Sequence, residues 1–171
     1  MLYKFIGSGL IIFASSFLGI SRAEKFNARV KYLQSMQSSI LRIENEIRYA
    51  HTPLTEIFKR TCESDDGVVG KMFLSAYNCM RELNGKPLSQ IWASSVEKVS
   101  GKIFKDDKEL LCSFSKCFTK GDVESQIKSL RLYFERISHT LEKAQRESEI
   151  NKKLFTNLGV YTGILVAVLL I

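Results

Sequence analysis

The chain has 171 residues, of which 45% are hydrophobic, and it carries a formal net charge of +7 at pH 7. Basic residues alternate with acidic ones along the predicted helix faces, and no Lys/Arg block is interleaved with aromatic residues. The charge therefore does not indicate a nucleic-acid-binding surface. With only two prolines and ten glycines among many Leu, Ile, Lys, Glu and Ser residues, the composition favours helix over sheet.

Residues 2–20 form the first predicted element, an apolar stretch whose single charged residue is Lys4. An apolar run of about twenty residues can cross the hydrocarbon core of a bilayer as a helix, so we predict a transmembrane span here. A cleaved signal peptide is the alternative. The run is long for a signal peptide, however, and Arg22 fits poorly in a small-residue cleavage motif. A retained span is therefore favoured.

The first span is predicted to continue as one helix that ends near Tyr49. Residues at alternating spacings of four and three define one face of this helix: Phe26, Val30, Leu33, Gln37, Ile40, Glu44 and Ile47. Near the end of the helix, Glu44 is expected to pair with Arg48 one turn on. The alternative for Glu44 is a carboxylate that faces a partner or a metal ion.

The second helix is predicted to follow a break at residues 50–53. Thr52 is expected to be its N-cap and Pro53 its first helical residue, since proline has no N–H to satisfy at that position. The helix is expected to end near Cys62.

Three further helices are predicted before the last one. The third ends at 84–85 and the fourth at 100–101, because glycine favours helix termination. The fifth begins with a variant capping box formed by Asp106 and Glu109. The apolar residues expected to face inward from these four middle helices are Leu54, Ile57, Phe58, Val69, Met72, Phe73, Ala76, Met80, Leu83, Leu88, Ile91, Trp92, Val96, Val99, Leu110, Leu111, Phe114 and Phe118.

The last helix is predicted to run from Gly121 to the C-terminus and to face two solvents. Its first part has one periodic stripe with charged residues on the other faces: Val123, Ile127, Leu130, Phe134, Ile137, Leu141, Ala144 and Ser148. From Leu154 to Ile171 there is no charge. At about 1.5 Å per residue this stretch spans about 27 Å, enough for most of a bilayer core.

Basic residues flank the middle of the chain on both sides, at positions 22, 25, 29 and 31 and again at 152 and 153. By the positive-inside rule, the middle should be cytosolic and both termini outside. We predict an all-α protein with a compact six-helix cytosolic domain at 21–153. Its first and last helices continue into transmembrane helices at 2–20 and 154–171.

Small residues in the two predicted spans suggest how the spans pack. Gly159 and Gly163 form a GxxxG pair, and Ser15 and Gly19 form a similar small pair, which lets helices approach closely in lipid. Packing of the two spans on each other is the simplest expectation, and self-association into a homo-oligomer is the next.

The sequence contains no motif for catalysis or for metal or cofactor binding. The four cysteines lack zinc-type spacing and are expected to be reduced thiols that fill core space. No glycine-rich loop precedes a lysine as in a P-loop. A metal enzyme built on Glu44 and Glu46 is disfavoured, because residues two apart point to different helix faces. We expect no enzyme activity, cofactor or metal.

Two segments resemble the stage III sporulation protein AB family of endospore-forming bacteria. They are SILRIENEIRYAHTPLTEIF and the ending LFTNLGVYTGILVAVLLI. The family shows a glutamate-rich helix that runs into a Thr-Pro-Leu turn and a closing Lys-Leu-aromatic-x-x-Leu-Gly segment, here 153–159. The motif residues with an expected structural or partner-contact role are Glu44, Glu46, Tyr49, Thr52, Pro53 and Leu54. The turn Thr119-Lys120-Gly121-Asp122 departs from the family's Gly-x-(Ser/Thr)-Asp turn.

The resemblance implies a helical domain related to the F-type platform proteins of type II secretion and type IV pilus systems. It also implies a place in the channel complex between mother cell and forespore, with a cytosolic ATPase and other channel membrane proteins as partners. A non-enzymatic platform component is therefore the first functional hypothesis. The alternative is a membrane-tethered adaptor or regulator that binds a signalling partner through its helical domain.

Overall fold

The computed structural model describes the backbone of residues 2–50, 52–82, 85–119 and 121–170. It describes the side chains of residues 21, 24–50, 52–82, 85–119, 121–154, 157 and 161.

Over these residues the chain forms six α-helices and no strand, as the sequence predicts. The helices are α1 (Leu2–Asn45), α2 (Leu54–Glu63), α3 (Val68–Arg81), α4 (Leu88–Lys98), α5 (Lys105–Cys112) and α6 (Val123–Leu170). A π-helical turn at Glu46–Ala50 follows α1, and 3-10 turns occupy Ser100–Lys102 and Ser113–Phe118. The chain divides into a terminal unit, Met1–Val30 with Glu142–Ile171, and a helical body, Lys31–Leu141.

An aromatic cluster lies at the centre of the helical body and joins its short helices. The rings of Phe58, Phe73, Trp92 and Phe114 come from α2, α3, α4 and the 3-10 turn that follows α5. The Trp92 ring centroid lies 4.9 Å from those of Phe73 and Phe114. The Trp92 indole N–H donates to the Leu111 carbonyl across 2.7 Å. Aromatic pairs at such distances add about 0.5–1.5 kcal/mol each beyond their buried area, so this cluster fixes four short segments together.

The predicted stripes of α1 and α6 are largely buried in the helical body. On α6, Ile127, Leu130, Ile137 and Leu141 are buried as expected, whereas Val123 is 41% exposed because it stands in the first turn. The stripe of α1 is wider than predicted and also includes Tyr32, Met36 and Ile43. The polar residue Gln37 of α1 links the two helices, because its amide donates to the Ser138 hydroxyl of α6 at 2.8 Å.

Two predicted helix starts are wrong in detail. Pro53, not Thr52, is the N-cap of α2, and the Thr52 hydroxyl donates to Glu46 instead. The Asp106–Glu109 capping box does not form, because α5 begins at Lys105 with Phe104 as its N-cap and no side-chain cap. The next carboxylate, Asp107, is buried and accepts a hydrogen bond from the Tyr32 hydroxyl of α1. The Thr52 hydroxyl is thus engaged by Glu46, and the buried carboxylate at the start of α5 is Asp107 rather than the predicted cap Asp106.

The helices α1 and α6 extend through the two predicted membrane spans. Among the residues searched, which exclude those not described, no helix combines the length and apolarity that crossing a bilayer requires. The spans at 2–20 and 154–171 fall almost wholly on side chains outside the described ones, as do Ser15, Gly19, Gly159 and Gly163. These spans and their packing pairs therefore stay predictions.

Candidate functional site

The candidate site is built around the π-helical turn that ends α1. This turn, Glu46–Ala50, lies inside the motif that carries the family resemblance. A π-helical turn is a rare departure from α-helix and often accompanies a functional site. Two carboxylates, Glu44 and Glu46, accept hydrogen bonds from the side chains around this turn.

Glu44 is an acceptor shared between two helices. It accepts hydrogen bonds from Arg48 Nη2 at 2.6 Å and from Arg131 Nε of α6 at 3.0 Å, and its side chain is 12% exposed. Burial alone would raise the pKa of Glu44, but the hydrogen bonds and charges of the two arginines outweigh burial and lower it. The predicted Glu44–Arg48 pair is confirmed. The bond to Arg131 ties the end of α1 to α6.

Glu46 ties the π turn to α2. Its carboxylate accepts from the Thr52 hydroxyl at 2.7 Å and from Arg60 Nη1 at 3.1 and 3.3 Å. The hydrogen bond from Thr52, and next that from Arg60, lower the pKa of Glu46. Arg60 also donates to Glu56 at 3.3 Å, one turn before it on α2. The hydrogen bond between the motif residues Glu46 and Thr52 therefore stabilises the break between α1 and α2.

An open cavity of about 370 Å³ lies beside the π turn, and we call it the corner cavity. Tyr49 stands on its rim and is 77% exposed, which is unusual for so large an aromatic side chain. Ile57 and Thr61, both buried, belong to its lining, as do Arg42 and Arg60. The remaining lining residues are Asn45, Glu46 and Ala50.

Two further cavities flank the motif. One of about 430 Å³ is lined by Arg48, Lys128, Arg131 and Leu132, among others. The other, of about 390 Å³, is lined mainly by apolar residues and by Thr52. That lining consists of Ile47, Thr52, Leu54, Ile57, Phe118, Val123 and Gln126. Four of the six motif residues line the first or the third of these cavities: Glu46, Tyr49, Thr52 and Leu54. Glu44 bonds to two arginines of the second, and Pro53 is the N-cap of α2.

The carboxylates and thiols of the described chain do not form a metal cluster. Within the described part of the chain, no group of three or more His, Cys, Asp or Glu residues could hold a metal ion. Glu44 and Glu46 face different arginines, as their spacing along a helix predicts. The four cysteines are free thiols. Burial raises the pKa of Cys117 to about 11, which leaves little thiolate at neutral pH.

Three arginines of the site were missed by sequence reasoning, namely Arg42, Arg60 and Arg131. Arg60 had a local signal, since Glu56 stands four residues before it. Arg131 had none, because it lies 87 residues from Glu44. Arg42 stands one turn before Glu46, yet the two do not pair, because Thr52 and Arg60 take the carboxylate.

Comparisons with known proteins identify the family of this chain. The family model described as stage III sporulation protein AB matches residues 4–171. The chain belongs to the stage III sporulation protein AB family. The stage III sporulation protein AB of Bacillus subtilis (strain 168) is 24% identical over 169 residues, which cover 98% of each chain.

A solved structure of a stage III sporulation protein AB shares the fold. Its TM-score to this chain is 0.65 at 20% sequence identity, and the match covers 71% of this chain and 97% of the solved one. The resemblance identified from the motifs is thereby confirmed, and with it a role in sporulation at the level of the family.

Proposed function

We propose that this protein is a non-enzymatic platform component of the channel complex between mother cell and forespore, and that it docks a cytosolic ATPase. The observation that carries the proposal is the corner cavity with its exposed Tyr49, held by Glu44 and Glu46. Solvent-exposed aromatic anchors beside concave surfaces are typical of protein-binding sites.

The rigidity of the surface supports docking. The Glu46–Arg60 pair links the π turn to α2, and the Glu44–Arg131 pair links the end of α1 to α6. Side chains that are already ordered lose little conformational entropy when a partner binds, so a preformed surface binds more tightly than a mobile one of equal area. The same carboxylates are engaged by arginines and are poorly suited to acid–base chemistry, because each is stabilised in its ionised form.

The proposed membrane arrangement rests on the sequence. Two spans, 2–20 and 154–171, would hold the helical domain 21–153 at the mother-cell membrane that faces the forespore. Basic residues at both flanks favour a cytosolic domain with both termini outside. Such a placement brings the corner cavity within reach of a cytosolic motor. The spans would contact lipid and other channel membrane proteins, and Gly159 and Gly163 would support packing within the membrane or self-association.

Docking is tested by co-purification from sporulating cells of a tagged full-length chain and the cytosolic ATPase of the same complex. We expect the wild-type chain to retain the ATPase and Tyr49→Ala to lose most of it. Leu74→Ala is the matched control, since Leu74 is also an exposed large apolar residue but lies on α3 away from the corner cavity. If neither the wild-type chain nor a crosslinked sample retains the ATPase, the platform mechanism fails.

Topology is tested by fusing a fluorescent protein or alkaline phosphatase after Arg146 and, separately, after Ile171. We expect fluorescence at the first site and phosphatase activity at the second. Phosphatase activity after Arg146 would put the domain outside the cytosol, where a cytosolic motor could not reach it. A phenotype confined to gene expression, with channel assembly intact, would instead favour the adaptor function.

A further inference from the structure

Arg42 and Glu46 stand one helical turn apart but do not form the ion pair that this spacing favours. The Glu46 carboxylate is occupied by the Thr52 hydroxyl and by Arg60. Within the described ranges, no carboxylate lies within 4.0 Å of the Arg42 guanidinium. The structure therefore leaves an unmatched cation on the lining of the corner cavity.

The other two charged residues of the lining, Glu46 and Arg60, pair with each other at 3.1 Å, so the lining itself carries a net charge of +1. Arg60 also bonds at 3.3 Å to Glu56, which does not line the cavity. The remaining polar groups in the lining, Asn45 and Thr61, carry no charge. The cavity thus offers an approaching partner one positive charge and one exposed aromatic ring.

We infer that the corner cavity takes a short acidic segment of the docked ATPase, an inference that rests on the proposed function. A carboxylate of the segment bonds to the Arg42 guanidinium, which presents paired N–H donors that match a carboxylate. A neighbouring apolar side chain packs on the Tyr49 ring. Arg42 is then a specificity-determining residue and Tyr49 the anchor.

This inference gives Glu46 a defined task. By accepting from Thr52 and Arg60, its carboxylate is kept from Arg42, which would otherwise be neutralised within the chain. Glu46 is therefore a positioning residue that acts through Arg60 and Thr52 and does not itself touch the segment. A basic or uncharged segment would leave Arg42 without a partner and would gain nothing from this arrangement.

The inference is tested with the full chain in lipid nanodiscs and the purified cytosolic ATPase as the probe. We expect Arg42→Gln to weaken binding about tenfold, as for the loss of one charge-assisted hydrogen bond, and to reduce its dependence on salt. Arg42→Lys should keep part of the affinity, because it keeps the charge but loses the paired donors. Arg136→Gln is the matched control, an exposed arginine of α6 that lines none of the three cavities around the motif. Equal affinity and equal salt dependence for wild type and Arg42→Gln would overturn the inference.

A photocrosslinker in place of Tyr49 identifies the segment directly. A crosslink to an ATPase segment in which Asp or Glu adjoins an apolar residue supports the inference. A crosslink to a segment without acidic residues, or to a second copy of this chain, overturns it. A second variant carries the photocrosslinker in place of Leu74. If the ATPase binds but forms a crosslink only with this second variant, the proposed docking stands and the acidic-segment inference fails. If the wild-type chain does not bind the ATPase at all, the proposed function fails as well.

Discussion

Arg29 of α1 donates to Glu147 of α6 across 2.6 Å, although the two residues are 118 apart in the sequence. Both belong to the terminal unit, and Arg29 is only 6% exposed. In the same unit, the Ser148 hydroxyl donates to the Asn27 side-chain oxygen at 2.8 Å. Polar pairs buried between two helices set their register, because a shift by one turn would leave each group unmatched.

Breaking the Arg29–Glu147 pair should destabilise the protein. Glu147→Leu leaves the nearly buried Arg29 without this carboxylate, and we expect a loss of about 1–2 kcal/mol, moderated because Glu147 is partly exposed. Thermal unfolding in nanodiscs measures the effect. The double variant Arg29→Met with Glu147→Leu should recover part of the loss. Arg146→Gln, a neighbouring exposed arginine, should change little. A Glu147→Leu variant as stable as the wild type would contradict the register role.

The first turn of α3 should not tolerate a methyl group at Gly70. A Cβ built on Gly70 would overlap the Asp65 carbonyl oxygen, which is backbone and cannot swing away. The Asp65 carboxylate also accepts from the Gly67 and Gly70 N–H groups at 2.6 and 3.2 Å and from the Ser35 hydroxyl, so the turn is held in place. We expect Gly70→Ala to cost about 2 kcal/mol or more in urea unfolding. Gly101→Ala is the control, since nothing lies within 4 Å of its Cβ position, and equal losses at both sites would exclude the steric explanation.

Charge placed on the buried stripe of α6 should prevent folding. Leu130 and Ile137 are fully buried in the helical body. An aspartate at either position would bury an unpaired carboxylate at a cost of several kcal/mol, about the whole stability of many domains. We expect the cellular protein level of the Leu130→Asp and Ile137→Asp variants to fall well below that of the wild type. The level of the exposed-site variant Lys143→Gln should stay unchanged. The measurement is a quantitative immunoblot of the membrane fraction, and equal levels for all three variants would disprove the packing face.

The Glu44 ion pairs should make stability depend on pH in the acid range. The pKa of Glu44 in the folded state lies below its ordinary value of 4.5, so the ionised carboxylate stabilises the fold above that value. This contribution is lost as the pH falls through the lowered pKa. Glu44→Gln should therefore cost about 1 kcal/mol at pH 7, limited by the partial exposure of its arginines, and progressively less below pH about 4.5.

Urea unfolding followed by fluorescence of Trp92, which is the single tryptophan and fully buried, measures this difference at each pH. Glu135→Gln is the control, an exposed glutamate of α6. A difference between wild type and Glu44→Gln that does not shrink at acid pH would show that the Arg48 and Arg131 pairs do not stabilise the fold.

Local patterns were sufficient to predict the elements of this fold. The stripe of α6 from Ile127 to Leu141 was predicted correctly, because a sustained alternation of four and three residues has no other regular solution. The ends of the second, third and fourth helices were near glycine, proline and polar turns, and were located to within a few residues. The fifth helix was predicted to include Phe114 and Phe118 and to end at 120–121, but α5 ends at Cys112 and these two residues lie in the following 3-10 turn. The Glu44–Arg48 pair was predictable for the same reason, since both partners lie on one helix. The sequence by itself thus determined an all-helical chain, its helix order and its family.

Only the tertiary structure decided how the motif is used. Glu44 meets Arg131 from the far end of the chain, and Glu46 turns to Thr52 and Arg60 instead of to Arg42. Asp107 is buried against Tyr32 although its neighbour was expected to cap a helix. Glu44 keeps its local partner Arg48 and also gains Arg131, whereas Glu46 bonds to residues that follow the helix break. Such bonds form where packing has already brought the partner close, so that little further entropy is lost in forming them.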